Sequence, residues 1–90
     1  MTESRETRLK RLRIRSWRRG TREMDLILGG FADAGQGGLA GLDDTQLDAY
    51  EVLLEENDWD LYYWVTGERE TPVAHRPIIT RLRRHRGMQP

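Results

Sequence analysis

Residues 43–54 read Asp43-Asp44-Thr45-Gln46-Leu47-Asp48-Ala49-Tyr50-Glu51-Val52-Leu53-Leu54. Asp43 and Gln46, three apart and just ahead of an apolar-periodic run, match the capping box, in which each side chain satisfies a backbone N–H at the helix start. Leu47, Tyr50 and Leu54 then form one stripe, which predicts a helix from Asp43 to about Glu56. Working outward, the same period appears on both sides. Upstream, Met24, Ile27, Leu28 and Phe31 fall at i, i+3, i+4 and i+7 of a helix over about 21–34. Gly29 and Gly30 weaken its second half, at about 1 kcal/mol each relative to Ala. An earlier helix runs over about 5–18, with Leu9, Leu12 and Trp17 inward, and Gly20 breaks it. Downstream, Asn57 or Asp58 caps a short helix through Val65 that Gly67 ends. Pro72 and Pro77 bracket the approach to a fifth helix whose Ile78, Ile79 and Leu82 face in. Its basic tail, from Arg83, is expected to fray. Trp64, Leu61, Leu54 and Ile27 are assigned to the core.

No segment shows the sustained alternation of a strand, and short loops join short helices, so the fold class is all-α: a compact five-helix antiparallel bundle. The 90 residues, 10.6 kDa, form a single domain over 1–90 with one thin core, since apolar residues are 37% of the chain. Four glycines between Gly35 and Gly41 predict a flexible loop, and without a preceding strand or a following Gly-Lys-Ser/Thr it is no phosphate-binding loop. Cysteine is absent, which excludes disulfides, thiolate metal sites and a Cys nucleophile. The longest apolar run, Leu61 to Val65, is far short of the roughly 20 residues of a membrane helix, and no apolar signal core opens the chain. The expectation is a soluble, unexported protein of a reducing cytoplasm, with no membrane insertion.

Fifteen cations balance fifteen acids, but in blocks. Residues 1–22 hold nine basic groups against Glu3 and Glu6, residues 23–70 hold thirteen acids against Arg69, and residues 71–90 hold five Arg and no acid. Such blocks either attract one another in the folded state or present separate faces to partners. Asp44, Asp48, Glu51 and Glu55 fall on one face of the third helix, with like charges at a spacing that costs a few tenths of a kcal/mol per pair. A solvated face eased by the Arg-rich first or fifth helix accounts for it.

No enzyme constellation emerges. His75 and His85 lie off the i, i+4 spacing of paired ligands and have no Cys beside them, so no metal site is assigned. Ser4 and Ser16 stand among arginines with no nearby His. Instead, Arg18-Arg19-Gly20-Thr21-Arg22-Glu23-Met24-Asp25 stands out at the junction of the first two helices, with Gly20 open to backbone conformations closed to other residues and Arg19 and Glu23 offering opposite charges.

Arg19-Gly20-x-x-Glu23 resembles the RGxxE signature of the SdhE family, the succinate dehydrogenase assembly factors also called flavinators. Met24-Asp25 follows as in relatives, Phe31-Ala32-Asp33 closes the second helix, and Leu47 through Leu54 resembles the family's third helix. Asp58-x-Asp60-Leu61-Tyr62-x-Trp64-Val65-x-Gly67 resembles its Asp-Pro-Asp-Leu-x-x-Trp block. The resemblance covers about residues 8–86, taken as the core of the domain with flexible termini. It departs at Trp59, where many relatives have Pro, and in the Gly-rich loop from Gly35 to Gly41.

The resemblance implies a helical assembly factor or chaperone that binds the flavoprotein subunit of succinate dehydrogenase, and often of fumarate reductase, and promotes covalent attachment of FAD to a His of that partner. It implies no enzyme, since the bond forms autocatalytically on the held flavoprotein, and no cofactor bound permanently, since FAD belongs to the partner. Arg19, Gly20 and Glu23 would form the partner-binding surface, flanked by Arg18, Arg22 and Asp25: Gly20 permitting close approach, Arg19 pairing with a partner carboxylate or carbonyl, Glu23 meeting a partner cation or polar group. A monomer docking one-to-one in a bacterial cytoplasm is expected, with the acidic stripe and basic helices on different faces. The alternative is a small nucleic-acid-binding or antitoxin-like interaction module using the Arg-rich helices. The acidic middle block would repel a duplex, so no nucleic acid is expected as partner.

Overall fold

In the computed structural model, which describes residues 3–87, every helix of the chain's first two thirds starts at a side-chain cap. Helix α1 (Arg5–Trp17) begins at Ser4, whose hydroxyl oxygen accepts from the Thr7 N–H. Helix α2 (Arg22–Ala32) begins at Thr21, which accepts from the Met24 N–H in the same way. At α3 (Asp44–Leu53) the capping box is complete: Asp43 accepts from the Gln46 N–H at 2.8 Å and Gln46 accepts from the Asp43 N–H at 2.9 Å. Asn57, rather than Asp58, caps α4 (Asp58–Thr66), and Gly67 ends it at φ 82°, the left-handed conformation that glycine tolerates. A single 3₁₀ turn, Val73–His75, leads into α5 (Arg76–Gly87), where Pro77 sits in the first turn and its missing N–H goes unneeded. No strand occurs among the described residues.

The four-residue turn from Arg18 to Thr21 folds α2 back on α1, and α5 packs against α2, α3 and α4. Between them Leu12, Leu28, Phe31, Leu47, Tyr50 and Leu61 are fully buried, each such aliphatic or aromatic side chain contributing about 1.5–3 kcal/mol. The Phe31 and Tyr50 rings stack with centroids 5.8 Å apart. The Tyr50 hydroxyl is buried too, 2.5 Å from Ser16 Oγ, which bonds the Leu12 carbonyl at 2.8 Å, so the one hydroxyl pair inside the bundle is satisfied. The Cα radius of gyration, 12.2 Å, matches the roughly 12 Å of a compact chain this long, which makes the bundle one body. Trp64, Leu61 and Leu54 are buried as expected.

Several expectations are corrected. Helix α3 ends at Leu53 rather than near Glu56 and α2 ends at Ala32. Ile27 is only partly buried at the edge of the core. Trp17 is 37% exposed: its indole lies across Gly29, where a Cβ would come within 2.2 Å of the ring, and its N–H donates to Asp33 at 3.2 Å. Gly29 is therefore a helix contact rather than a weak point. The stretch from Gly35 to Gly41 is two 3₁₀ turns around buried Leu39, not a loose loop. Its Gly38 and Gly41 press on the carbonyls of Phe31 and Gln36 so closely that no side chain fits. The basic tail stays helical through Gly87 because Ile78, Ile79 and Leu82 anchor it. Of the termini expected to be flexible outside about 8–86, Ser4 already caps α1, Arg5 to Thr7 are helical and Gly87 ends α5, while residues 1–2 and 88–90 lie outside the described residues.

The acidic stripe does not occupy a face of its own. Arg5 meets Asp44 at 3.1 Å, Arg8 meets Asp48 at 2.6 Å and Glu51 at 3.2 Å, Arg11 meets Glu51 at 2.9 Å, and Arg15 meets Glu55 at 3.0 Å. Four arginines of α1 thus meet four acids, three of them in α3 and Glu55 just past its end, which offsets the repulsion within the stripe. Such exposed pairs are worth about 0–1 kcal/mol each. Glu51 is the most enclosed of these acids, and its carboxyl is held below the usual carboxylate range, first by the Arg11 hydrogen bond, which outweighs the opposing effect of burial, and then by the Arg11 charge and the hydrogen bond and charge of Arg8.

Candidate functional site

The turn between α1 and α2 is shaped by Gly20 and tied down by Arg19. Gly20 has φ 95°, a conformation strained for any side chain, yet a Cβ there would meet nothing within 4 Å. Glycine is required by the backbone, and the space beside it is open. Arg19 turns the other way. Its guanidinium donates to the Asp58 carboxylate at 2.8 Å and to the carbonyls of Leu54 and Glu56 at 2.6 Å each. Leu54 is the C-cap of α3, where carbonyls lack helical partners, so one planar fork satisfies the α3–α4 junction and neutralises an acid in the first turn of α4. Both side chains are largely enclosed, Arg19 at 11% and Asp58 at 18% exposure. The Arg19 N–H donates in turn to Asp25 at 2.7 Å.

The six residues singled out from the sequence therefore divide. Arg19 and Asp25 are engaged within the chain, and the carboxylate and carbonyls that Arg19 takes are the chain's own. Gly20, Glu23, Arg18 and Arg22 are exposed, and no side-chain partner binds Glu23, Arg18 or Arg22 among the described residues. All six lie on or next to the turn.

Beside Glu23 opens a cleft of about 260 Å³ between the first turns of α2 and α4, lined by Thr21, Glu23, Met24, Asp58, Trp59 and Tyr62. Trp59 is 69% exposed, its ring 6.4 Å from that of Tyr63, which also carries the Arg69 guanidinium 4.6 Å above its face. The sequence reading treated Trp59 as a departure from a pattern and left Tyr62 unassigned. A signal was available: Leu61, Trp64 and Val65 define the inward face of α4, and Trp59, Tyr62 and Tyr63 fall off it. No group of three or more His, Asp or Glu gathers to hold a metal among the described residues, and no helix there is long and apolar enough to cross a membrane. His75 is buried with its ring 5.4 Å from Trp64, and His85 meets Phe31 edge-on at 5.8 Å.

A family model described as flavinator of succinate dehydrogenase matches residues 10–86, which takes in the turn, the cleft, α2 to α4 and most of α1 and α5. The chain belongs to that family. Relatives named succinate dehydrogenase assembly factor 2, mitochondrial, come from fungi. That of Meyerozyma guilliermondii is 47% identical over 75 residues, covering 82% of this chain and 53% of the relative. That of Mycosarcoma maydis is 42% identical over 72 residues, covering 80% and 29%, and that of Schizosaccharomyces pombe is 41% identical over 70 residues, covering 78% and 48%. The chain spans about half the length of these relatives or less. The family is one of assembly factors rather than known catalysts. One expectation is overturned here: the bacterial cytoplasm assigned from the sequence does not agree with relatives that are mitochondrial proteins of fungi.

Proposed function

We propose that the chain binds the flavoprotein subunit of succinate dehydrogenase and promotes covalent attachment of FAD to it, with the flavoprotein of fumarate reductase as a second client. The observation that carries this reading is the pairing of an immobilised Arg19 with an unengaged Glu23 in the turn that bears the family signature. A surface that must hold another protein in one conformation needs a rigid base and free functional groups, and the two residues divide those roles. Arg19 and Asp25 position the turn. Gly20 leaves room for a partner's backbone, while Glu23, Arg18 and Arg22 supply charges that no group among the described residues has claimed.

Covalent attachment joins two groups already on the partner, so the chain's contribution is to hold the FAD site and the acceptor His in reacting geometry, a gain of orientation rather than of new chemistry. The chain acts as a binding factor and not as an enzyme, carries no cofactor of its own, and works as a monomer that docks one-to-one. Against a nucleic-acid partner stands the engagement of Arg5, Arg8, Arg11 and Arg15 of α1, which would track phosphates, with acids of this chain. Gel filtration of the chain with purified apo flavoprotein tests this. A one-to-one complex is expected, and a chain that ignores the flavoprotein but binds duplex DNA in about 0.15 M salt contradicts it.

A further inference from the structure

We infer that the cleft between α2 and α4 receives one cationic side chain, an arginine or lysine, presented by the flavoprotein; this rests on the functional reading above and specifies the contact. The lining holds two acids of unequal standing. Asp58 is already met by Arg19, whereas Glu23 has no partner among the described residues, and neither Arg18 nor Arg22 folds back onto it although both are close in sequence. The uncompensated charge in the cleft is therefore negative. Apart from Thr21, whose hydroxyl oxygen caps α2, its remaining lining is aromatic and apolar: the exposed Trp59, Tyr62 and the buried thioether of Met24.

An aliphatic stem with a cationic head matches both halves. The stem lies against Met24 and the rings, and the head reaches the Glu23 carboxylate across a π face that itself attracts cations. A purely apolar occupant would cover Glu23 and leave a carboxylate desolvated without a partner, and an anionic one would be repelled. The chain already uses this contact on the same helix, with Arg69 over Tyr63 at 4.6 Å. Trp59, by contrast, carries no cation of its own chain and stands 69% exposed, the condition of an aromatic anchor awaiting a partner.

The test is the affinity of the full chain for the purified apo flavoprotein by titration calorimetry at two salt concentrations. Trp59→Ala is expected to weaken binding about tenfold and Trp59→Phe, which keeps a π face, at most about threefold. Glu23→Gln should weaken binding and flatten its salt dependence, and Trp59→Ala should cost less in the Glu23→Gln background because both residues hold one side chain. Both positions are exposed, and a retained helical circular dichroism spectrum confirms folding. Trp59→Ala within twofold of the parent chain overturns the inference, as does Trp59→Leu binding as well as Trp59→Phe with an unchanged salt dependence in Glu23→Gln. No binding by the parent chain overturns the functional reading and this inference with it.

Discussion

The Arg19 guanidinium stands 2.8 Å from the Asp58 carboxylate and joins the α1–α2 turn to the first turn of α4. The turn leads directly into the first turn of α2, which carries Glu23, and the first turn of α4 carries Trp59. Through this contact a residue of the signature sets the geometry of the cleft without lining it.

Removing that fork should show first in stability. Arg19→Ala strips the Leu54 and Glu56 carbonyls of their donor and leaves Asp58 without its cation in a poorly solvated position, a loss of about 2–4 kcal/mol once partial exposure is allowed for. For a chain of this size that is a fall in thermal midpoint of roughly 10–25 °C. Arg19→Lys, lacking the planar fork, should recover only part of it. Thermal unfolding followed by circular dichroism measures both, and an unchanged midpoint in Arg19→Ala would refute the positioning role.

Gly29→Ala should destabilise although Ala is the better helix former. The new methyl would lie 2.2 Å from the Trp17 ring, so the indole must swing out and lose its bond to Asp33. A cost of about 1–3 kcal/mol is expected. If urea unfolding shows Gly29→Ala to be more stable, the close approach of Trp17 is wrong.

Much of this fold was legible in the residues because capping and periodicity are local. Asp43 with Gln46, Gly67 after Val65, and the stripe from Met24 to Phe31 each declare themselves within a few positions. The misreadings share one cause, contact between distant segments. Gly29 looks like a weakness until Trp17 lies on it, and Gly38 and Gly41 look flexible until carbonyls press against them. The acidic stripe was expected to be eased by the first or fifth helix, and α1 is the one that meets it; only its separation onto a different face from the basic helices was misread. At the candidate site the turn and its charges were legible, but the inward direction of Arg19 was not, since its partners lie 35–39 positions away. The cleft needed α2 and α4 side by side before Trp59 and Tyr62 acquired a role.

Stability should fall at both ends of the pH range for separate reasons. Glu51 has a folded pKa below its ordinary 4.5, so as pH drops past that value the unfolded chain takes up the proton first. The contribution of Glu51 is complete above about 4.5 and is lost as pH falls through the lower folded value. Burial pushes the Tyr50 phenol the other way, from 10.0 up to about 12, so its contribution is present below 10 and disappears as pH rises toward 12. Thermal midpoints from pH 6 to 3 should decline less steeply in Glu51→Gln than in the parent chain, and those from pH 9 to 12 less steeply in Tyr50→Phe. Identical slopes would show that these groups do not govern the transitions.

Glu23→Ala should do the reverse of Arg19→Ala. In the first turn of α2 its carboxylate gains only about 0.3–1 kcal/mol from the helix dipole, and no side-chain partner is lost with it. Urea unfolding should place the variant within about 1 kcal/mol of the parent. A larger loss would make Glu23 part of the scaffold rather than of the surface.

The most direct measurement is covalent flavin in the succinate dehydrogenase flavoprotein, read as fluorescence in denaturing gels after purified apo flavoprotein and FAD are incubated with the chain. The parent chain should raise the covalent signal well above that of flavoprotein and FAD alone, and a well-folded Glu23→Ala should leave it near that background. Full flavinylation without the chain, or with Glu23→Ala as effective as the parent, would contradict the account.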